Sequence, residues 1–340
     1  MAKIRVISDQ QAKTLLRMSA AIAGVEQAYA QKSGGSACVF PMVFHEFEPG
    51  VADMDIKSGA AGNSGVFGLK LVSWFGTNAQ HGLPALFGTN LVMDLETGAP
   101  RALLNGTHIT HMRTGAAGAV GAKYLARKDS KTLLVAGMGE LAAYEIAAVL
   151  TAMEGIDTVY VVNPRNPRGM EARMEKIRAE VAALLKMEER KAPYQLLLSE
   201  SLEKTALQAD VIITATPARG AFLKKEWIRP GTHISCIGAD MKGKNELDAE
   251  LCKTARLFAD DRTQSVQVGE LQTAVGHGYC CAEAITELGN VINGTTPGRN
   301  DDAEVTIFDS TGIALQDLIV SAAVLKAAEA AGIGTVCDLA

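Results

Sequence analysis

The sequence predicts a two-domain α/β fold, one domain built on a parallel sheet and the other a mixed α+β unit. Three observations predict it. Between residues 132 and 259 short apolar runs alternate with amphipathic helices, the pattern of parallel βαβ units. The first of those runs ends in a glycine-rich turn that opens a helix. The first hundred residues begin instead with helical periodicity and then change to strand-like runs, and 340 residues suffice for two cores.

Taken in order, Ser8 or Asp9 can cap a helix with apolar residues at Leu15, Leu16 and Met18. A second helix over 20–31 stops at Gly34-Gly35. Val66–Phe75 and Leu86–Asp94 read as strands, and Glu96-Thr97-Gly98-Ala99-Pro100 supplies turn chemistry before a strand at 101–104. From Thr114 the composition turns to Gly and Ala, which suits a helix packed very close to its neighbours. The apolar runs follow at Thr132–Ala136, Thr158–Val162, Gln195–Leu198, Val211–Thr214, 233–237 and Arg256–Ala259. A last strand at 305–308 precedes an apolar helix over about 312–331, which is expected to return to the N-terminal domain with no strand after it.

The segment Leu133-Leu134-Val135-Ala136-Gly137-Met138-Gly139-Glu140-Leu141-Ala142 is a buried strand followed by G-x-G-x-x-A and a helix. The first glycine makes the tight turn, the second lets backbone N–H groups approach a pyrophosphate, and Ala142 allows close helix–strand contact. The helix N-terminus adds positive field. This is a Rossmann fingerprint in its required context, so a nicotinamide dinucleotide, NAD(P)(H), is expected against Gly137, Met138, Gly139, Glu140 and Leu141. The second strand ends in Val162-Asn163-Pro164-Arg165, where an acidic residue would accept the adenine ribose hydroxyls. Asn163 removes the repulsion against a 2′-phosphate and Arg165 can pair with it, which favours NADP(H) over NAD(H). The alternative is a solvated Arg165 and NAD(H).

Nearly half the residues are hydrophobic and about a fifth charged (48% and 21%), the mix of a globular protein. A net charge of −5 with no basic stripe argues against nucleic acid. The N-terminal residues lack a signal-peptide pattern and no window approaches a membrane span, so a cytoplasmic protein without a membrane partner is expected. The six cysteines form no CxxC pair, which suggests reduced, buried thiols; no metal is expected, since His108 and His111 have no third ligand. Cys280-Cys281 reads as interior, and Asp301-Asp302 as a turn.

Hydride transfer at a carbon bearing nitrogen needs a carboxylate holder, a proton carrier and an aligned nicotinamide. Asp240 follows Ile237-Gly238-Ala239 at the carboxyl edge of a predicted parallel strand, where α/β ligands bind, with Ile237 and Gly238 against the cofactor. It suits proton transfer or pairing with a substrate ammonium; a cap for the next segment is the other reading. Lys70 lies in an otherwise apolar strand, where a cation is costly unless paired. Either a substrate carboxylate pairs it or it faces solvent. Lys57 is a similar, weaker candidate. Arg113, placed just before the Gly/Ala-rich helix, can grip a carboxylate or phosphate bidentately, or is a surface arginine.

Lys70, Arg113-Thr114-Gly115-Ala116-Ala117, Gly137-Met138-Gly139, the stretch from Gly238 to Leu247 and the stretch from Val305 to Gly312 together resemble the ornithine cyclodeaminase/mu-crystallin family, in order along nearly the whole chain. The resemblance implies a Rossmann NAD(P)-binding domain at 118–307 and a mixed α+β substrate-binding and dimerisation domain at 1–117 with 308–340. It implies a homodimer or an assembly of dimers. Asp240 would be the catalytic acid/base, Lys70 a catalytic and substrate-carboxylate ligand, and Arg113 a residue at the junction of cofactor and substrate. Lys244, Thr216 and Ser310 would line the nicotinamide side, and Thr311 would adjoin the substrate. Cyclodeaminases carry an arginine shortly after a proline in the N-terminal domain, whereas this chain reads Phe40-Pro41-Met42-Val43-Phe44-His45, with Lys57 as a substitute. The C-terminal half looks closest to the reductase branch that includes iminosuccinate reductase and archaeal alanine dehydrogenase. The leading expectation is therefore an NAD(P)(H)-dependent imine reductase or amino acid dehydrogenase acting on a small amino or imino acid. The alternatives are a cyclodeaminase-type lyase with internal redox and ammonia release, and a non-catalytic mu-crystallin-like binding protein, against which the acid at Asp240 argues.

Overall fold

The apolar runs from residue 132 onward pair side by side in a computed structural model, which describes residues 3–188, 190 and 192–339. Their order across the sheet is Gln195–Leu198, Thr158–Val162, Thr132–Ala136, Val211–Thr214, His233–Cys236, Thr306–Asp309, Arg256–Ala259 and Thr286–Glu287. Every neighbouring pair is parallel. Leu133, Leu134 and Val135 are all fully buried, as are Ile212 and Ile213, which is why these strands read as unbroken apolar runs instead of alternating. The chain winds outward from Thr132–Ala136 in both directions, so the carboxyl end of that strand is a topological switch point. This sheet belongs to a unit comprising Arg17–Ile22 and Thr114–Gly312.

Close packing explains the Gly/Ala composition. A Cβ on Gly121 would lie 2.4 Å from the Phe308 ring, and one on Gly115 would lie 2.6 Å from the Tyr144 carbonyl. The helix that carries these glycines is Thr107–Leu125. It starts before the Gly/Ala stretch because the Asn105 side chain accepts from the Thr107 N–H at 2.9 Å. Arg113 therefore sits inside the helix, which corrects its expected place ahead of it.

The other unit comprises Met1–Leu16, Ala23–Arg113 and Ile313–Ala340. Its sheet runs Thr335–Asp338, Lys3–Ile7, Pro100–Asn105, Leu86–Asp94, Val66–Phe75, Ala52–Ala61 and Ala37–Val39, with Val43–Glu48 also paired to Ala52–Ala61. Lys3–Ile7 is parallel to Pro100–Asn105, and the remaining pairs are antiparallel. The apolar helix Ala314–Ala331 packs on four of these strands, Ala52–Ala61, Val66–Phe75, Leu86–Asp94 and Ala37–Val39. A Cβ on Gly68, whose φ is 156°, would lie 2.0 Å from the Leu91 carbonyl oxygen, so the central strand admits only glycine there.

One expectation fails in this unit. A strand does follow the last helix: Thr335–Asp338 pairs antiparallel with Lys3–Ile7, itself an unexpected strand. The ten-residue strand Ala52–Ala61 also escaped sequence reading, although its first six residues, Ala52-Asp53-Met54-Asp55-Ile56-Lys57, alternate apolar and polar before Ser58-Gly59 ends the pattern.

Candidate functional site

At the switch point of the parallel sheet, Gly137 adopts φ 144°, and a Cβ there would lie 2.5 Å from the Ala215 carbonyl oxygen. Only glycine turns the chain at this spacing. Nothing lies within 4 Å of a Cβ built on Gly139, so this side of the turn is open to a ligand's close approach. A cavity of about 600 Å³ lies over the turn and is lined by Gly137, Met138, Gly139, Asn163, Arg165, Thr216 and their neighbours through Phe222. These residues fit a dinucleotide: peptide N–H groups for phosphates, an exposed cation at the second strand's end and no carboxylate there. The Asn163 side chain accepts from the N–H groups of Arg165 and Asn166 at 3.1 and 3.2 Å, so it shapes the turn that presents Arg165.

Arg173, which sequence reading passed over as one charge among many on a surface helix, donates from Nε to the Met138 carbonyl at 2.8 Å. It also donates from Nη2 to the Gly139 carbonyl at 2.6 Å. These two bonds tie the glycine turn to the helix Glu171–Lys186. Glu140 is exposed and Leu141 half-buried at the mouth of the following helix, Ala142–Ala152.

Two strands along the sheet, Ile237 and Gly238 lead into Asp240, which is exposed and ion-paired to Lys244 (Oδ1–Nζ 2.6 Å). Behind them sits Glu246, fully buried and also unforeseen. Its carboxylate accepts from Thr214 Oγ1 (2.7 Å), Thr216 N–H (2.8 Å), Thr216 Oγ1 (2.7 Å) and Gly238 N–H (3.0 Å). One side chain thereby ties Thr216 on the cavity wall to the turn that carries Asp240. Burial raises its carboxyl, and the threonine hydrogen bonds oppose that. Next to it, burial and the charge of Glu246 push Glu270 up to about 8. Ser310 and Thr311 direct their hydroxyls at the buried Asp260, at 3.1 and 3.0 Å, and Thr311 also reaches Gln264. Ile237, Gly238 and Ser310 lie at strand ends of this sheet and Lys244 just before the strand Asn245–Leu247 of a separate two-stranded sheet, all outside the lining of the cavity among the described residues.

In the other unit Lys70 is 3% exposed and so does not face solvent. Its ammonium lies 3.1 Å from Asp317 Oδ1 and 3.4 Å from Thr110 Oγ1, while Arg113 Nε lies 3.3 Å from the same Asp317 oxygen. Lys57 is the residue directly opposite Lys70 on the neighbouring strand, half-buried. Burial, then the nearby Arg113 guanidinium, push the Lys70 ammonium down to about 8. Burial alone would raise Asp317, but Arg113 and Lys70 hold it below the ordinary carboxylate value. Sequence reading found the two cations and missed their anion. The available signal was a lone carboxylate in the apolar run Leu315-Gln316-Asp317-Leu318-Ile319-Val320.

The pattern that describes the ornithine cyclodeaminase/mu-crystallin family matches residues 3–332. The chain is 35% identical to the alanine dehydrogenase of Archaeoglobus fulgidus over 332 residues, 97% of each chain. Its fold is similar to the crystal structure of the iminosuccinate reductase of Paracoccus denitrificans in complex with NAD+, with TM-score 0.90, 33% identity and coverage of 99% of this chain and 100% of that one. It is also similar to an archaeal alanine dehydrogenase dimer with bound NAD, with TM-score 0.87, 33% identity and the same coverage.

Proposed function

The chain belongs to the ornithine cyclodeaminase/mu-crystallin family, and from that premise we propose that it is an NAD(P)(H)-dependent oxidoreductase interconverting a small amino acid and its imino or keto acid. The observation that carries the reading is the glycine-turn cavity, with an acid, Asp240, two strands along the same sheet edge. A bound nicotinamide supplies or accepts the hydride at the substrate carbon. Asp240 gives a proton to the substrate nitrogen as the imine is reduced and takes it back in the oxidative direction. Lys244 holds that carboxylate in place, and Glu246 holds the turn that bears it. Lys70 and Arg113 bind the substrate carboxylate with Lys57 beside them, and Thr311 adjoins the substrate. The unit containing Lys70 is the substrate-binding and dimerisation domain.

At the adenosine end the reading favours NADP(H) over NAD(H), on the strength of Arg165 at the cavity and an amide in place of a carboxylate at Asn163. The iminosuccinate reductase and alanine dehydrogenase structures carry NAD. The reading includes a homodimer, supported by a run of exposed apolar side chains, Phe40, Met42, Val43, Phe44 and Phe47, on and beside the strand Val43–Glu48. It also places the enzyme in the cytoplasm, supported by six free cysteines. Among the described residues no helix is long and apolar enough to cross a membrane.

The test is a spectrophotometric screen at the nicotinamide absorbance. Pyruvate, glyoxylate and oxaloacetate are offered with ammonia or methylamine in one direction, and alanine, aspartate and ornithine in the other. Stoichiometric consumption of NAD(P)H with formation of an amine is expected. Ammonia released from ornithine with no net change in the nicotinamide would replace the reading with a cyclodeaminase.

A further inference from the structure

Asp317 is the innermost member of the charge cluster around Lys70. It is fully buried in the first turn of helix Ala314–Ala331, and its Oδ1 alone takes both the Lys70 ammonium at 3.1 Å and the Arg113 guanidinium at 3.3 Å. The other oxygen, Oδ2, has no hydrogen-bond partner among the described residues. A carboxylate serving only to neutralise two cations gains by spreading them over both oxygens, since a buried acceptor left unsatisfied is costly. Convergence on one oxygen instead draws two positive heads to a single point. Arg113 makes the contact through Nε, so the Nη1/Nη2 fork, which matches a carboxylate bidentately, is not spent on Asp317.

We infer that Asp317 is the positioning residue of the substrate-carboxylate site: it clamps Lys70 and Arg113 side by side as one receptor for a monocarboxylate, without touching the substrate itself. The inference rests on the reading that Lys70 and Arg113 bind that carboxylate.

The surroundings of Lys70 make the clamp necessary. Lys57 stands opposite it on Ala52–Ala61, with Asp55 two residues away on the same face. Asn90 stands opposite on Leu86–Asp94, and Thr110 and Arg113 face it from helix Thr107–Leu125. Lys57 and Arg113 repel the ammonium, burial disfavours it, and Asp317 is the carboxylate in contact with it. Without Asp317 the ammonium loses its proton at lower pH.

The experiment measures binding of oxamate, a non-reacting monocarboxylate, to the NADH-loaded protein between pH 6 and 10 by titration calorimetry. Wild-type affinity is expected to hold at low pH and to fall above about 8, by about tenfold per pH unit, as Lys70 deprotonates. Asp317→Asn is expected to move that midpoint down by about one pH unit or more and to weaken affinity at pH 6 by about tenfold, since the two cations are no longer held side by side. Asp317→Glu, which keeps the charge and displaces the oxygen, is expected to keep the midpoint while weakening affinity at every pH. An unmoved midpoint in Asp317→Asn, or wild-type affinity at pH 6 in that variant, overturns the inference. If that variant does not fold, a moved midpoint in Asp317→Glu overturns it. Lys70→Ala and Arg113→Ala test the underlying reading separately: unchanged oxamate affinity in both would remove the carboxylate site, whatever Asp317 does.

Discussion

The two units make their candidate sites from different materials. Around Gly137 the work falls to backbone: a turn only glycine can make, peptide groups open to a ligand, and side chains such as Arg173 and Glu246 whose task is to hold carbonyl and N–H groups still. Around Lys70 the site is charge on side chains, brought together from residues 247 and 204 apart in sequence. The difference teaches where each is fragile. A backbone site tolerates many side-chain replacements and fails when a Cβ is added. A buried charge cluster is most fragile at its shared carboxylate, whose removal leaves two cations uncompensated.

The largest effect is expected where a side chain does the chemistry on the backbone-built edge. Asp240→Asn should lower turnover by about 10²- to 10⁴-fold while the NADH dissociation constant stays within about threefold. Steady-state kinetics beside fluorescence titration reads both, and undiminished turnover would take the acid/base role from Asp240. Next comes Lys70→Ala, which leaves Asp317 with one cation. The apparent substrate constant should rise about 10- to 100-fold, and denaturant unfolding should show a loss of about 1–3 kcal/mol, since Arg113 still pairs with Asp317. If stability falls and the substrate constant does not, the cluster is structural and the contrast between the units collapses. Gly137→Ala should weaken NADH by about tenfold or more without changing the oxamate response of whatever protein remains loaded. The smallest effects sharpen the adenosine end. Arg165→Ala should weaken NADPH about fivefold and leave NADH unchanged, whereas Arg173→Ala should weaken both by about the same factor. An NADH loss as large as the NADPH loss in Arg165→Ala would take away its selective role.

The same contrast governs what could be read from sequence. The strands of the parallel sheet were legible because both faces are buried, so each is an apolar run bounded by polar residues, and Gly137-Met138-Gly139 carries its own geometry. Lys70 was legible as an anomaly, a cation in an apolar strand. Its partner was not, since nothing local connects residue 70 to residue 317. Arg173 and Glu246 act on backbone atoms far along the chain and leave no pattern at their own positions. The strand Thr335–Asp338 escaped because it is four residues long, largely exposed and fixed only by pairing with Lys3–Ile7.

That terminal pairing bears on how the chain is made. The unit with Lys70 is assembled from residues 1–16, 23–113 and 313–340, and nearly all of the other unit lies between its second and third pieces. During synthesis from the N-terminus the parallel sheet is complete before the helix Ala314–Ala331 and the strand Thr335–Asp338 emerge from the ribosome. Until then Lys70 and Arg113 have no Asp317 and the central strands have no covering helix. The unit with the glycine turn can therefore close before the charge cluster around Lys70 acquires its carboxylate.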